Sequence, residues 1–397
     1  MMNTRVSIWQ KALRMVLALA LAATAVPFVA PDKAHADWVD NTYHITSVAD
    51  LVYAVNLTHT TAGQSINIVL DNDLTLNEAD LEVAKQNGGL IFGTIDLPFK
   101  GAFDGRGHTI TGLEYNRDLW TPKANTGLFA STDGATIKNL TLKDAKIGAD
   151  FRGGVLVGRA DSTRIENVTL ISCTSSITPA NNAVSLITNA GVLGGILAGE
   201  TNGGVIYNCE VRGGRCVSNS TSAVAALGGE GLYMGALVGA ASGTVIEYSR
   251  VTPIREVAAD GVTYQHASVK NSYDKAVGAL GGFTVYAGGV TGQLSNGAQM
   301  IDCFSTADCY AYCGTYVSVG AGATVSVGGL TASAYDSNCS IERSHYAGNL
   351  SSKQYNALIV IPIIEYNVYL AGLARRADGL SVSESYFKPS ASAEEGT

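Results

Sequence analysis

Short stretches of alternating apolar and polar residues recur along most of the chain. Such alternation predicts β-strands, because each stretch is too brief for a helix. Seven stretches align with one another, and most place a glycine two residues after a shared apolar position. The shared position, called the leucine column below, contains Leu128, Leu156, Leu197, Leu237, Val290, Leu330 and Leu373. The glycine is replaced at Ala130, Ala332 and Arg375.

Each copy continues with a turn and a second apolar position. This second position, the isoleucine column, contains Ile137, Ile165, Ile206, Ile246, Met300, Ile341 and Val382. Between the columns, one turn position contains Asp133, Asp161, Asn202, Ser242, Ser295 and Asp378. A ladder of metal-binding or catalytic acids is one interpretation. Turn chemistry is favoured, because serine shares the position and Asp, Asn and Ser all close tight turns.

Stacking the copies in register predicts a parallel β-solenoid. One copy buries too little surface alone, but stacked columns form a continuous core with strands about 4.8 Å apart. Successive copies are 28, 41, 40, 53, 40 and 43 residues apart, whereas a bare coil needs only about 20 to 30. Most copies therefore carry an insertion or an extra coil, and we expect loop insertions at roughly 171–193, 212–233, 252–286, 307–326 and 347–369.

The residues before Asp37 have the pattern of a secretory signal peptide. Arg5, Lys11 and Arg14 precede the apolar run MVLALALAATAV, and Ala34-His35-Ala36 is a small-x-small cleavage site. A membrane anchor is the alternative, but the run is too short to cross a bilayer. We expect an exported chain that has no integral membrane segment after signal removal.

The stretch ITSVADLVYAVN (45–56) predicts a helix that caps the stack. Its apolar residues have helical spacing, Ser47 is a suitable N-cap, and Asp50 follows three residues later. A solenoid needs such a cap, because an open end exposes strand edges and core.

The stretch FDGRGHTITGL (103–113) brings Asp104, Arg106 and His108 close together, as a catalytic site would. Its Asp-Gly-x-Gly composition instead favours a tight turn. We expect Ile110 and Leu113 to lie in the core, and Arg106 and His108 to face solvent.

Composition narrows the classes of function. Residues 37–397 contain 22 Lys and Arg against 33 Asp and Glu, a net charge of −11, which gives no support for nucleic-acid binding. The sequence has neither a CxxC pair nor an HExxH motif, so it predicts no metal and no cofactor. Disulfides are conceivable among seven cysteines, but Cys209 and Cys303 share one repeat position at least two coils apart, about 9.6 Å or more. We expect both to be reduced core residues.

The best copies are GVLVG with IENV (154–168), GILAG with IYNC (195–209) and GALVG with IEYS (235–249). They resemble the GLUG repeat, named after its Gly-Leu-x-Gly core, of exported bacterial surface proteins. Similar repeats occur in adhesin-like proteins and in immunoglobulin-A-cleaving peptidases, whose separate protease domain this resemblance does not include. The resemblance implies an all-β fold, a right-handed parallel β-helix with a short N-terminal capping helix.

The implied organisation has four parts. They are a signal peptide (1–36), an N-terminal cap with the first coils (37–113), a GLUG-type β-helix with loop insertions (114–387) and a polar tail (388–397).

The insertions supply the candidate ligand contacts. The candidates are Tyr264, His266, Tyr310, Tyr312, Tyr316 and Tyr355. Tyrosine offers rigid amphipathic surface for a glycan or a protein, although such rings also cover the flanks of a solenoid. The run ALIVIPIIEY (357–366) predicts a strand, with Pro362 at an edge or bend.

These features favour a secreted or cell-surface, non-catalytic binding or adhesion protein whose partner is a glycan or a host or cell-surface protein. A polysaccharide lyase or glycoside hydrolase is one alternative, supported only by analogy of fold. A structural spacer within a larger surface assembly is the other.

Overall fold

The computed structural model separates the chain into two units, Met1–Ala36 and Asp37–Thr397. All described residues belong to the second unit. They are residues 38–39, 42–86, 89–115, 125–178, 191–224, 230–258, 261–277, 283–319, 323–335, 338–361, 366–375, 377–388 and 391–395. The predicted signal peptide lies outside the described residues.

The predicted N-terminal helix is present as α1, Val48–Thr58. The Ser47 side chain accepts a hydrogen bond from the Asp50 backbone, and the Asp50 carboxylate accepts one from the Ser47 backbone. This reciprocal capping box satisfies two backbone donors that a helix start leaves free. The sequence pattern did not predict the short 3-10 turn Gly63–Ser65 or the second helix α2, Glu78–Gln86.

Most of the described chain is strand, and nearly all strand pairs are parallel. Each of the seven repeat copies contributes to four sheets, named I to IV in the order in which a copy enters them. Sheet I contains Phe129–Asp133, Val157–Asp161, Ala198–Asn202, Val238–Ser242, Thr291–Ser295, Thr331–Tyr335 and Ala377–Asp378.

Sheet II is the largest, and most of its coils bend once and so give two short strands. Its strands are Trp38–Val39, Thr42–Ile45, Asn67–Leu70, Leu74–Thr75, Ala102–Asp104, Thr109–Thr111, Thr136–Lys143, Arg164–Ile171, Val205–Tyr207, Glu210–Arg212, Val245–Glu247, Arg250–Thr252, Gln299–Ile301, Phe304–Ser305, Ser340–Glu342, His345–Tyr346, Ser381–Ser383 and Tyr386–Phe387. Trp38–Val39 pairs antiparallel with Thr42–Ile45, beside α1 at the start of the stack.

Sheets III and IV complete each coil. Sheet III contains Glu114–Tyr115, Lys146–Ala149, Thr174–Ile177, Arg215–Val224, Ser268–Val277, Asp308–Val319, Leu350–Ile361 and Ala391–Glu395. Sheet IV contains Asn125–Thr126, Arg152–Gly153, Val192–Gly195, Glu230–Gly235, Phe283–Gly288, Ala323–Gly328 and Tyr366–Ala371. This arrangement of stacked parallel sheets is consistent with a β-helix or solenoid.

Strand pairing reproduces the alignment of the seven copies. Ile137 pairs with Ile165, and the pairing continues through every member of the isoleucine column to Val382. The leucine column from Leu128 to Leu330 is at most 1% exposed. The repeat register was therefore predicted correctly, and both columns form the core through the sixth copy. In the last copy Val382 is 44% exposed and Leu373 is only partly buried.

Steric exclusion explains why the position two residues after the leucine column is usually glycine. A Cβ at Gly199 would lie 2.6 Å from the Gly158 carbonyl oxygen and 2.7 Å from the Gly153 nitrogen. Gly239 and Gly292 meet neighbouring backbone atoms equally closely. Backbone approach between coils therefore excludes a side chain at this position in the middle of the stack.

The expectation of loop insertions is wrong over much of their length. Four of the insertions contain the long strands of sheet III, which begin at Arg215, Ser268, Asp308 and Leu350, and the returning strands of sheet IV. Their residues pair with the same insertion in neighbouring coils, so the backbone hydrogen bonds are satisfied as in a sheet. Equal lengthening of adjacent coils thus extends two sheets.

Two further segments of the C-terminal part also form strands of sheet III. The apolar run at 357–366 does form strand as far as Ile361, while Pro362 lies outside the described residues. Residues 391–395, expected in the polar tail, form the last strand of sheet III and pair with residues 350–354.

The cysteines are core residues, as expected for Cys209 and Cys303. All seven are buried, and the thiols of Cys209 and Cys303 are free. Burial raises the pKa of both thiols to about 12, because the thiolate would be desolvated. The Ser249 hydroxyl accepts a hydrogen bond from the Cys209 backbone, which confirms that these residues share one column.

Candidate ligand-binding groove on sheet III

The structure gathers four of the six candidate residues on one strand pair of sheet III. Tyr310 and Tyr312 lie in strand Asp308–Val319, where they alternate with the buried residues Cys309, Ala311 and Cys313. Since side chains alternate between the faces of a strand, both tyrosines belong to the outer face.

Tyr316 and Tyr355 occupy related backbone positions. Tyr316 lies on the same strand as Tyr310 and at the same alternation, and Tyr355 pairs with Gly314 in the next coil. Their side chains are outside the described part of the structure.

Tyr264 and His266 lie apart from this strand pair. Tyr264 belongs to an antiparallel hairpin, Ile254–Ala258 with Gly261–Gln265, and is 58% exposed. Nδ1 of His266 is 3.1 Å from the Thr306 carbonyl oxygen, which can only accept, so the imidazole donates. His266 therefore connects its coil to the next one.

An open groove of about 450 Å³ lies on the outer face of sheet III and includes Tyr310. Four successive coils contribute to it. The polar lining comprises Arg215, Ser268, Lys270, Asp308, Tyr310, Asn349 and Ser351. Register explains the grouping, because Arg215 pairs with Ser268 and Ser268 with Asp308, while Lys270 pairs with Tyr310 and Tyr310 with Ser351.

Sequence inspection found Tyr310 and missed the other lining residues. They could have been found only by pairing the insertions of neighbouring copies with one another as strands. Once the insertions are treated as strands in register, Lys270 and Ser351 fall beside Tyr310, and Arg215 and Asp308 fall in the neighbouring column.

The groove combines an aromatic ring with charges of both signs. Nζ of Lys270 lies 5.9 Å from the centroid of the Tyr310 ring, within the range of a cation–π contact. Oδ1 of Asp308 accepts hydrogen bonds from the backbone nitrogen and Nδ2 of Asn349, at 3.0 and 2.8 Å. These contacts fix Asp308 and Asn349 at one wall.

Most described cations elsewhere on the solenoid have an acidic partner. The ion pairs are Arg106 with Asp71, Lys100 with Asp133, Lys138 with Asp104, Arg152 with Glu200, Arg159 with Asp161, Arg164 with Glu166, Arg212 and Arg250 with Glu210, and Arg343 with Asp302. Arg215 and Lys270 differ: within the described ranges neither has an ion-pair partner, and both are exposed.

The FDGRGHTITGL stretch is a turn, as expected, with Arg106 at φ 49° and its backbone nitrogen 2.9 Å from Oδ1 of Asp104. Ile110 and Leu113 are buried in the core. Arg106 and His108 are exposed and partly exposed, as expected, but each also contacts the preceding coil. Arg106 pairs with Asp71, and Nδ1 of His108 lies 3.0 Å from Oδ1 of Asp73. Both side chains connect adjacent coils, which a single-coil pattern cannot show.

The acids with clear pKa shifts are stabilised in their charged form. Hydrogen bonds from the Thr109 backbone and from His108 lower the pKa of Asp73, and Arg343 lowers that of Asp302. Burial opposes ionisation of Asp104 and Glu210, yet hydrogen bonds lower the pKa of each. A general acid for glycoside hydrolysis needs a raised pKa instead, whereas these four carboxyl groups accept hydrogen bonds that favour their ionised form.

Among the residues that the structure describes, no group of three or more His, Cys, Asp and Glu could hold a metal ion. No described helix is long and apolar enough to span a membrane.

No protein-family model matches the chain. Halomucin from Haloquadratum walsbyi is 31% identical over 134 residues, which is 33% of this chain. The chain spans only 1% of Halomucin. The crystal structure of a candidate immunoglobulin A1 protease from Bacteroides ovatus aligns over 88% of this chain and 85% of that chain. Its TM-score is 0.42 and its sequence identity 14%.

Proposed function

We propose that the protein is a secreted or cell-surface binding or adhesion protein, non-catalytic, whose ligand binds the outer face of sheet III. The groove around Tyr310 supports this most directly, since it joins an aromatic ring, hydroxyl groups and charged groups on one face. Glycans and proteins are both recognised by such mixed surfaces.

The proposed scaffold is a right-handed parallel β-helix of the GLUG-repeat type. The repeat motifs at 154–168, 195–209 and 235–249 support the type. Parallel strands joined by crossover connections in one sheet are right-handed in nearly all proteins, which supports the hand. A rigid stack suits ligand binding, because a strand holds its side chains more precisely than a loop.

Export is the second part of the proposal. The N-terminal residues have the signal-peptide pattern, and the boundary between the two structural units falls after Ala36, at the proposed cleavage site. A protein outside the cell has glycans and surface proteins as its accessible partners.

The test is retention of residues 37–397 on an array of mucins, peptidoglycan, polysaccharides and host matrix proteins. Wild type is compared with Tyr310→Ala and with Tyr386→Ser, which removes a 63% exposed tyrosine from sheet II. We expect saturable retention on one ligand class, lost in Tyr310→Ala and kept in Tyr386→Ser, with both variants melting like wild type. Absence of retention on every surface would favour a spacer role and overturn the proposal.

A further inference from the structure

The unpaired cations of the groove indicate a class of ligand. Residues 37–397 have a net charge of −11, and the ion pairs above use most of the described arginines. Arg215 and Lys270 nevertheless face the same groove without an acidic partner among the described residues. Although the protein as a whole is acidic, these two cations outnumber the single acid, Asp308, among the described lining residues.

Resting on the binding function proposed above, we propose that the groove binds an anionic polysaccharide whose carboxylate or sulfate groups pair with Arg215 and Lys270. A guanidinium group binds these anions in a fixed, often bidentate geometry, and an ammonium group adds a point charge.

The spacing of the two cations suits adjacent sugar units. Lys270 lies one coil beyond Arg215 and two residues further along the strand, because Arg215 pairs with Ser268. Coils about 4.8 Å apart and a rise of about 3.3 Å per residue place the two backbone positions roughly 8 Å apart. Both side chains are long, so they can reach anionic groups on one residue or on neighbouring residues of a polymer.

The remaining lining residues suit the uncharged part of a sugar. The Tyr310 ring offers a flat apolar face against which the C–H face of a sugar can pack. Ser268, Ser351 and Asn349 offer hydroxyl and amide groups for hydrogen bonds. Recognition would therefore combine one ring contact with two charge contacts.

The groove also contains a negatively charged side chain, that of Asp308. Asp308 is the only carboxylate among the described lining residues, and two hydrogen bonds from Asn349 already occupy one of its oxygens. Its remaining lone pairs can accept sugar hydroxyl groups. Asp308 also repels anions from its own wall, which directs them toward Arg215 and Lys270.

A further exposed cation lies on this face outside the groove. Lys146 lies in the same column as Arg215, two coils toward the N-terminus, through pairing with Thr174. It is exposed. A polymer longer than the groove therefore meets a third positive charge along the stack.

The experiment measures binding of residues 37–397 to polygalacturonate, to its fully methyl-esterified form and to heparin. The ester keeps the sugar backbone and removes the charge, and heparin presents sulfate groups. The test variants are Arg215→Gln and Lys270→Gln. Lys270→Arg keeps the charge, and Lys143→Gln removes an exposed charge from sheet II as a matched control. Thermal melting confirms that each variant is folded.

We expect binding of polygalacturonate or heparin, with no binding of the ester. Either glutamine variant should weaken binding about tenfold, as loss of a charged hydrogen bond predicts, while Lys270→Arg and Lys143→Gln bind like wild type. Comparing polygalacturonate, which presents carboxylates, with heparin, which also presents sulfates, then identifies the preferred anionic group. Equal binding of the ester, or equal weakening by Lys143→Gln, overturns the inference.

Failure of this inference and failure of the binding function are distinguishable. A neutral glycan or a protein that binds and depends on Tyr310 refutes the anionic ligand and leaves the binding function intact. No retention on any surface of the array refutes both.

Discussion

Nδ2 of Asn208 donates a hydrogen bond to Oδ1 of Asn167, 2.8 Å away in the preceding coil. Asn167 in turn donates to Asn139 at 3.1 Å, and Asn139 donates to Asp104 at 3.0 Å. All three asparagines have positive φ, between 49° and 55°, at the bend of sheet II. Asparagine therefore has two roles at this position: it tolerates the left-handed backbone conformation, and its amide group links successive coils.

Substitution of Asn167 separates these two roles. Asn167→Gly loses the amide contacts but keeps positive φ without steric cost, whereas Asn167→Ala loses both. We expect Asn167→Ala to be less stable than Asn167→Gly by about 1 kcal/mol. Urea unfolding monitored by circular dichroism gives both values. Equal stability of the two variants would show that the backbone conformation is not a constraint there.

Glu210 predicts a loss of stability at acidic pH. It is nearly buried and accepts hydrogen bonds from Arg212, Arg250 and Thr252. Burial alone would raise its pKa, but these bonds lower the pKa from 4.5 to about 2. Since the folded pKa is below the unfolded value, the stabilisation is complete above pH 4.5 and is lost as pH falls toward 2.

The Glu210→Gln variant isolates this contribution. Between these pH values the wild type should lose up to about 1.4 kcal/mol more per pH unit than the variant, because only its unfolded state gains the extra proton. Unfolding free energies across the range test this. Parallel pH profiles would contradict the assigned ion-pair network.

Leu237 tests the stacked core. Its side chain is fully buried between coils in the leucine column. Leu237→Asp places an unpaired charge there and should destabilise the fold by several kcal/mol, and Leu197→Asp should do the same. Melting temperature and limited proteolysis report the effect. Wild-type melting of both variants would mean that the register is wrong.

Replacing Cys209 by serine should destabilise the fold less than replacing Cys216 by serine. Ser249 and Ser344 donate to carbonyl groups two residues earlier, at 2.9 and 2.8 Å, and the Cys209 thiol has the same relation to Tyr207. Cys209→Ser should therefore cost less than about 1 kcal/mol.

Cys216 is the matched control, since its sulfur faces the Met234 sulfur at 3.7 Å. Cys216→Ser places a hydroxyl beside that thioether, a weak acceptor, and should cost about 1 to 3 kcal/mol. Chemical denaturation compares the two variants. A larger cost for Cys209→Ser would contradict the column assignment.

The core of the fold could be predicted because it repeats. The leucine and isoleucine columns recur at aligned positions, so residues far apart in sequence, such as Ile246 and Met300, could be paired without a structure. The capping helix was predictable from the local signals of Ser47 and Asp50. Repetition and local capping are both visible in a single sequence.

The groove was not predictable from the same signals. Its residues belong to the insertions, which share no motif, and only pairing between coils places Arg215 and Lys270 near Tyr310. The contacts of Arg106 and His108 with the preceding coil escaped prediction for the same reason. Side-chain contacts between coils depend on register and not on the pattern within one coil.

The central claim is that the outer face of sheet III is the binding surface. Carbene footprinting of residues 37–397, with and without the polymer or protein that the array retains, tests it most directly. We predict that labelling of Tyr310 and Lys270 falls on binding, while that of the exposed Tyr248 and Tyr386 on sheet II is unchanged. Protection of the sheet II tyrosines with unchanged labelling of Tyr310 would contradict the claim.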